Sequence, residues 1–231
     1  MFNTSTGPVR IITAASLFDG HDAAINVMRR LIQTSGAEVI HLGHDRSAKE
    51  VVDCAVQEDA HAVALTSYQG GHMEYFTYIR QLLDEAGCEH IRIFGGGGGT
   101  ITPPEIRDLH KSGISKIYSP DDGRKMGLMG MIHDLMAGAS KVDLISNDRI
   151  GSLDGPITAD DMAKVGLLLT LSESASADDF AATLAKVRSC DADVPVIGFT
   201  GTGGAGKSSL LDELMLRILR DNPDKKICLL C

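Results

Sequence analysis

The first 140 residues predict an α/β fold of the doubly wound class, on two observations. Five short apolar segments alternate along the chain with five segments whose apolar residues recur at helical spacing, and helix-start signals or glycines mark several of the junctions. Strands that alternate with helices form a parallel sheet covered on both faces. We expect the flavodoxin-like (Rossmann-like) strand order 2-1-3-4-5, whose switch point lies between the first and third strands.

Apolar runs and apolar periodicity locate the elements of this sheet. The five strands are expected at residues 9–17, 37–42, 62–66, 91–94 and 116–118. The first helix is expected at about residues 23–35, the third ends at about residue 86, and the fifth covers about residues 120–137. The second helix begins with the capping box Ser47-x-x-Glu50, and the fourth begins with the capping box Thr102-x-x-Glu105. In a capping box the two side chains satisfy free backbone N–H groups at the start of the helix.

Composition excludes several classes of protein. The chain has 231 residues and a formal net charge of −9, which argues against a surface for nucleic acid or anionic membrane. The five scattered cysteines do not form a disulfide framework and suit a reducing compartment. The N-terminus has no signal peptide, and no apolar run approaches the ~20 residues of a membrane span. We therefore expect a cytoplasmic protein.

The loops after strands one, three and four contain the candidate site, because they converge on one cleft in a sheet of this order. Asp19 can accept a hydrogen bond from one imidazole nitrogen of His21, which fixes the tautomer and makes the other nitrogen a better metal ligand. Five consecutive glycines after strand four let backbone amides approach a bulky or anionic group. The candidate residues are Asp19, Gly20, His21, Asp22, Ser67, Gln69, Gly70, Gly71, Gly95, Gly96, Gly97 and Gly98.

The Asp19-x-His21 motif, the loop that begins with Ser67 and the glycine run resemble the three signature stretches of the cobalamin-binding domain of B12-dependent mutases. The resemblance implies base-off/His-on binding, in which His21 replaces dimethylbenzimidazole as the lower ligand of cobalt. It also implies that Asp19 is the hydrogen-bond partner of His21, and that Ser67 and the loop glycines line the pocket for the displaced nucleotide tail. Ala24 stands where the family has glycine, and Gln69 stands where it has leucine.

The remaining residues predict a helical linker at 141–193 and the start of a second α/β domain at 194–231. Linker helices are expected from about residue 159, capped by Thr158, and from about residue 177. An apolar strand at 194–199 precedes Gly-x4-Gly-Lys-Ser and an amphipathic helix, which is the context of a phosphate-binding P-loop. In such a loop Lys207 reaches the β- and γ-phosphates of the nucleotide, and Ser208 binds Mg²⁺. The candidate nucleotide-binding residues are Gly201, Gly203, Gly204, Ala205, Gly206, Lys207, Ser208 and Ser209.

Cys228 and Cys231 form a Cys-x-x-Cys near the end of the sequence. No second pair of metal ligands accompanies them, so we interpret both as residues of an apolar strand rather than as a zinc or redox site.

The order of a B12 domain and then a P-loop domain resembles the fused isobutyryl-CoA mutases. This resemblance implies adenosylcobalamin, whose carbon–cobalt bond breaks homolytically, and a radical rearrangement of isobutyryl-CoA to n-butyryl-CoA. It also implies a homodimeric enzyme with a G-protein chaperone domain of the MeaB type, which uses GTP and Mg²⁺ when complete. Because the sequence contains only the opening of that domain, we expect it neither to bind GTP well nor to hydrolyse it. The acyl-CoA would bind in a barrel that this chain lacks, so no turnover is expected from the chain alone.

Several alternatives remain open from the sequence. Methyl-carrying corrinoid proteins have a helical cap before this domain, whereas only eight residues precede the first strand here, which favours a mutase. Within the mutases, a methylmalonyl-CoA mutase-type B12-binding subunit is the alternative. Outside them stand a non-catalytic corrinoid carrier or sensor, a flavodoxin-like signalling or flavin domain, and a P-loop NTPase with an unrelated partner. The preferred acyl-CoA, and GTP over ATP, are left open.

Overall fold

The computed structural model describes residues 7–155, 157–158, 160–187, 195–225 and 227–230. The chain divides into two compact units, Met1–Ser189 and Cys190–Cys231. The first unit contains a five-stranded parallel sheet in the order β2-β1-β3-β4-β5, which confirms the predicted winding. Its strands are β1 (Arg10–Ser16), β2 (Glu38–Arg46), β3 (Ala62–Thr66), β4 (Arg92–Gly96) and β5 (Lys116–Tyr118).

A helix follows each strand of this sheet, as predicted. The five are α1 (Asp22–Thr34), α2 (Ala48–Gln57), α3 (His72–Glu85), α4 (Pro103–Lys111) and α5 (Pro120–Ala139). Both predicted capping boxes form. The Ser47 amide donates to the Glu50 carboxylate at 2.9 Å, and the Thr102 amide donates to the Glu105 carboxylate at 2.7 Å. These helices therefore begin where local side chains satisfy their free N–H groups.

The core has two parts, one on each face of the sheet. Alternate residues of β1 and β3 enter different clusters, because successive side chains of a strand point to opposite faces. Ile12 and Val63 pack with α2 and α3, whereas Ile11 and Ala62 pack with α1 and α5. Both faces of the sheet are thus covered, which leaves its carboxyl edge for a ligand.

The glycine run differs from its predicted form. Gly95 and Gly96 are the last residues of β4 and pair with Ile117 and Tyr118 of β5, so the strand continues beyond the predicted 91–94. A Cβ at Gly95 would lie 2.4 Å from Cζ of the Phe76 ring. At that position packing against α3 requires glycine, and the free loop begins at residue 97.

Two further elements of the sheet region differ from expectation. Strand β2 continues to Arg46 instead of ending at residue 42, with irregular pairing to β1. The predicted helix at 120–137 is interrupted at Gly127, whose φ of 67° and ψ of 175° are not helical, so α5 consists of two joined pieces. A left-handed φ of this kind is accessible to glycine without the steric cost that a Cβ imposes.

The segment that was predicted as a linker packs within the first unit. It forms α6 (Asn147–Gly151), which was not predicted, α7 (Met162–Ser174) and α8 (Ala177–Val187). The predicted start of α7 at residue 159 lies outside the described residues. The helix begins at Met162, because Thr158 and Asp161 form a turn in which the Thr158 hydroxyl donates to the carboxylate at 2.8 Å.

Two contacts hold this segment against α2 and the residues that follow it. The Arg149 guanidinium pairs with Asp59, whose side chain is buried. Helix α7 approaches α2 so closely that a Cβ at Gly166 would lie 2.8 Å from the carbonyl oxygen of Val56. Through this ion pair and this helix contact, the segment is packed within the first unit.

In the second unit, the described residues form one helix, α9 (Lys207–Asp221), and no strand. The strand predicted at 194–199 was wrong over 195–199, and residue 194 lies outside the described residues. Val196 is 93% exposed, and the strand interpretation of Cys228 also fails, since residues 227–230 are not extended in a sheet. Cys231 is not among the described residues. A strand needs a neighbouring strand for its N–H and C=O groups, and the described part of this unit provides none.

Candidate functional site

Asp19 is a buried carboxylate that joins two loops at the carboxyl edge of the sheet. Its side chain is fully buried, and its amide donates to the carbonyl of Ser16 at 3.0 Å to close a tight turn after β1. Its Oδ1 accepts the amide and Nδ1 hydrogens of His21 at 2.9 and 2.8 Å. Its Oδ2 accepts the amide hydrogen of Tyr68, in the loop after β3, at 2.7 Å.

This hydrogen bonding keeps Asp19 ionised. Burial alone would raise the pKa of the carboxyl, because the charged form loses water. Hydrogen bonds from the Tyr68 amide, the His21 amide and the His21 imidazole outweigh burial, and they hold the pKa of Asp19 below its ordinary value. Asp19 is therefore an acceptor on both oxygens.

The ionised Asp19 fixes the tautomer of His21. Since a carboxylate can only accept, the Nδ1 of His21 carries the hydrogen, and Nε2 of the neutral ring has a free lone pair. His21 precedes the first residue of α1, and its side chain is 61% exposed. An accessible imidazole nitrogen with its partner nitrogen bonded to carboxylate is the arrangement found in protein metal ligands.

A cavity of about 580 Å³ opens beside this pair, at the carboxyl ends of β3, β4 and β5. Its walls are the first turns of α1 and the inner face of α5, and they are almost entirely apolar. Wall residues from the helices include Ala23, Ala24, Met28, Leu128, Met131 and Leu135. Pockets of this size and character hold small molecules and cofactors.

Thr66, the last residue of β3, is a polar exception in this wall that sequence reasoning missed. Its side chain is 7% exposed, and its hydroxyl has no hydrogen-bond partner within the part of the chain that the structure describes. A buried hydroxyl without a partner is costly. A ligand in the cavity could therefore form a hydrogen bond with the Thr66 hydroxyl. The signal in the sequence that could have identified Thr66 was its position next to Ser67 at the end of a strand.

Of the predicted site residues, only those of the glycine run line the cavity; Asp19 and His21 lie outside its wall, which begins two residues after His21 at Ala23. Gly95, Gly96, Gly97 and Gly98 line the cavity. Ser67, Gln69, Gly70 and Gly71 are not in its wall. Gly20 and Asp22 frame His21, and the Asp22 amide donates to the Gly20 carbonyl at 2.9 Å.

Ser67 lies behind the cavity wall. It is 1% exposed, and its hydroxyl accepts a hydrogen bond from that of Ser16 at 2.9 Å. A Cβ at Gly97 would lie 1.9 Å from the carbonyl oxygen of Ser67, so glycine allows the loops after β3 and β4 to touch there. These residues shape the site by packing the loops together.

Tyr68 is the second residue that sequence reasoning missed. Its ring centroid lies 5.5 Å from that of His21, with the planes tilted by 45°, and its side chain also lines the cavity. The position was passed over as the variable residue between Ser67 and Gln69.

The second unit presents the predicted phosphate-binding loop before α9. Gly204 and Gly206 have φ of +76° and +81°, in the left-handed region that favours glycine. The Nζ of Lys207 donates to the carbonyl oxygens of Gly201 and Thr202 at 2.7 and 2.9 Å, so the lysine folds back over its own loop. Of the other predicted residues, Gly203 and Ala205 lie in this loop, and Ser208 and Ser209 are the second and third residues of the helix.

Comparison with known proteins gives the following relatives. The family model described as the B12 binding domain matches residues 9–119. The chain is 50% identical to a fused isobutyryl-CoA mutase of Geobacillus kaustophilus over 96% of its own length and 21% of the relative. It is 53% identical to that of Cupriavidus metallidurans over 94% of its length and 20% of the relative. The chain thus spans about a fifth of these proteins.

A shorter relative is covered over most of its length. The chain is 31% identical to the 2-hydroxyisobutanoyl-CoA mutase small subunit of Aquincola tertiaricarbonis, over 49% of this chain and 82% of that protein.

Across the described residues, no helix combines the length and the apolar character that crossing a bilayer requires.

Proposed function

Because the chain belongs to the family of B12-binding domains, we propose that its cleft holds cobalamin base-off/His-on, with Nε2 of His21 as the lower ligand of cobalt. The observation that carries this proposal is the hydrogen bond of 2.8 Å between Nδ1 of His21 and buried Asp19. It leaves Nε2 as the free donor to a metal, and the carboxylate on the other ring nitrogen fixes the tautomer that a metal ligand needs.

The apolar cavity supports the same proposal for the displaced nucleotide tail. An aromatic base requires an apolar slot with few polar groups, and the cavity beside His21 has that character. Thr66 supplies the one unpartnered buried hydroxyl described in this wall, where it could hydrogen-bond to a ring nitrogen. Gly97 and Gly98 keep the rim free of side chains. The residues present thus fit a corrinoid.

We further propose that the chain is part of an adenosylcobalamin-dependent mutase that converts isobutyryl-CoA to n-butyryl-CoA. The support is that relatives about half identical to this chain are named fused isobutyryl-CoA mutases. When bound, the cofactor supplies a carbon–cobalt bond that can break homolytically. The role of this chain is to bind and orient that cofactor through His21, Asp19 and the cavity. No residue of this chain is assigned to the acyl-CoA.

For the second unit we propose a phosphate-binding loop that takes GTP with Mg²⁺, as part of a chaperone domain, within a homodimeric enzyme. The support is local. Gly204 and Gly206 adopt left-handed φ in front of α9, and Lys207 stands at the first position of that helix. Backbone amides at the start of a helix bind phosphate, and the lysine reaches the terminal phosphates once it leaves its own loop carbonyls.

Titration of adenosylcobalamin with the chain, followed by absorption spectroscopy, tests the cofactor assignment. The wild type should convert the spectrum to the base-off/His-on form, and His21→Ala should not. His44→Ala is the matched control, since His44 also pairs its Nδ1 with an aspartate, Asp45, at 2.8 Å and is about as exposed. It should behave as the wild type.

Two outcomes would contradict the proposal. If the wild type leaves the spectrum of the free cofactor unchanged at saturating protein, this chain does not ligate cobalt by itself. If His21→Ala retains the His-on spectrum, another side chain is the ligand.

A further inference from the structure

Tyr68 connects the three loops of the cleft. Its backbone amide donates to Asp19, and its carbonyl accepts the Thr100 hydroxyl at 3.4 Å. Its ring faces His21 on one side, and on another it is close to Gly98, where a Cβ would lie 3.2 Å from the ring carbon Cε1. One residue thus has contacts with the loops after β1 and β4 while it belongs to the loop after β3.

Glycine at position 98 leaves room for the Tyr68 ring. Gly98 has a φ of +57°, which disfavours any other residue, and a side chain there would press on the Tyr68 ring. The glycines of the loop after β4 therefore allow the Tyr68 ring to pack against the loop and also leave space for a ligand. The Tyr68 ring is held between that loop and the His21 imidazole.

His21 needs such a contact to be oriented. Its side chain is 61% exposed, and a single hydrogen bond to Asp19 fixes one ring nitrogen but leaves the plane of the ring free to swing about that bond. An aromatic neighbour at 5.5 Å and a tilt of 45° restricts the plane, because tilted ring pairs have a preferred geometry. The direction of the Nε2 lone pair depends on that plane.

We propose that Tyr68 is a positioning residue for cobalt ligation: its ring sets the plane of the His21 imidazole so that Nε2 is aimed before the corrinoid arrives. This rests on the proposed function of the cleft. The phenol oxygen has no part in it, since among the described residues Tyr68 forms its hydrogen bonds through its backbone amide and carbonyl. The ring carries the effect, through packing.

The test compares Tyr68→Phe, Tyr68→Leu and Tyr68→Ala in the titration of adenosylcobalamin. Tyr68→Phe keeps the ring and should match the wild type. Tyr68→Ala should weaken His-on binding about two- to tenfold, the range for loss of one aromatic pair. Tyr68→Leu keeps apolar volume without a flat ring and should fall between them. Tyr78→Ala, which truncates a half-exposed tyrosine of α3, is the control and should leave binding unchanged.

A second measurement needs no cofactor. In the apo protein, the carbon-bound ring protons of His21 feel the ring current of Tyr68, so their NMR resonances should move in Tyr68→Ala and stay in Tyr68→Phe. Thermal unfolding of each variant shows whether it is folded, and the Phe and Leu variants keep the test valid if Tyr68→Ala does not fold.

The outcomes separate the two proposals. A wild type without a His-on spectrum overturns the proposed function, and this inference with it. A wild-type His-on spectrum that Tyr68→Leu and Tyr68→Ala reproduce with unchanged affinity overturns the inference and leaves the function standing. Loss of affinity in Tyr68→Phe would also overturn it, because the phenol oxygen would then be the active group.

Discussion

The two candidate ligand sites of this chain differ in how many elements build them. The cleft of the first unit combines three loops around Asp19, a carboxylate with no exposed surface that holds the Tyr68 amide and His21. The proposed phosphate-binding loop of the second unit contacts its own helix, and Lys207 bonds to carbonyl oxygens of that loop. The first site is preorganised by tertiary contacts, whereas the second is a local motif.

This difference predicts how substitutions at each site affect the stability of the fold. In the cleft, the groups that shape the site are also buried groups of the fold, so changing them should affect unfolding as well as binding. In the second unit, the described residues around the motif are largely exposed, so changing them should affect binding alone. Three substitutions test this difference between the two sites.

Gly97→Ala should have the largest effect. A Cβ there would lie 1.9 Å from the backbone oxygen of Ser67, and backbone cannot yield as a flexible side chain can. We expect the free energy of unfolding to fall by about 3 kcal/mol, with loss of cobalamin binding. Urea denaturation followed by circular dichroism measures the first, and the absorption titration measures the second.

Gly99→Ala is the matched control, since a Cβ at Gly99 would meet nothing within 4 Å. It should change the free energy of unfolding by less than about 1 kcal/mol. Equal effects of the two substitutions would show that the glycine run is not packed against the loop after β3.

Asp19→Asn should have an intermediate effect. The amide group offers N–H where Asp19 accepts hydrogens from Tyr68 and His21, so one donor is left facing another. We expect a loss of about 2 kcal/mol in the free energy of unfolding. Asp45→Asn, in the exposed His44 pair, should cost less than about 0.5 kcal/mol. A similar cost for both would contradict the role of burial.

The same carboxylate predicts a pH dependence. The pKa of Asp19 is lowered in the folded state, so its contribution to stability is fully present above the unfolded value of about 3.9 and is lost as pH falls through the folded value. Between pH 7 and pH 3 the wild type should therefore lose more unfolding free energy than Asp19→Asn does. If the unfolding free energies of the two proteins fell equally over this pH range, Asp19 would not contribute to the acid sensitivity of the fold.

Lys207→Ala should have the smallest effect on stability. The lysine side chain bonds only to carbonyls of its own loop among the described residues, so the unfolding midpoint of the chain should stay the same. If the loop binds nucleotide, calorimetric titration with GTP and Mg²⁺ should show at least about tenfold weaker binding. Lys225→Ala is the control, and ATP in place of GTP tests the choice of base.

Local sequence signals predicted the sheet well. Strands β3 and β5 have the predicted bounds, both capping boxes form, and the strand order is the predicted one. Short buried runs and start signals act over a few residues, so they can be read without knowledge of the rest of the fold. The failures lie where a partner is distant. The strand at 194–199 requires a neighbouring strand, and Gly95 is explained by Phe76 of α3.

The spacing of Asp19 and His21 after an apolar run, taken together with the loop that begins with Ser67 and the glycine run, predicts a metal ligand at His21, and the structure shows the hydrogen bond between the two side chains. The roles of Thr66 and Tyr68 depended on the folded chain. An unpartnered hydroxyl is recognised only when its surroundings are known, and a ring contact between residues 21 and 68 exists because β1 and β3 are neighbours in the sheet. Sequence patterns reveal chemistry within one loop, whereas contacts between loops are set by the packing of the strands that carry them.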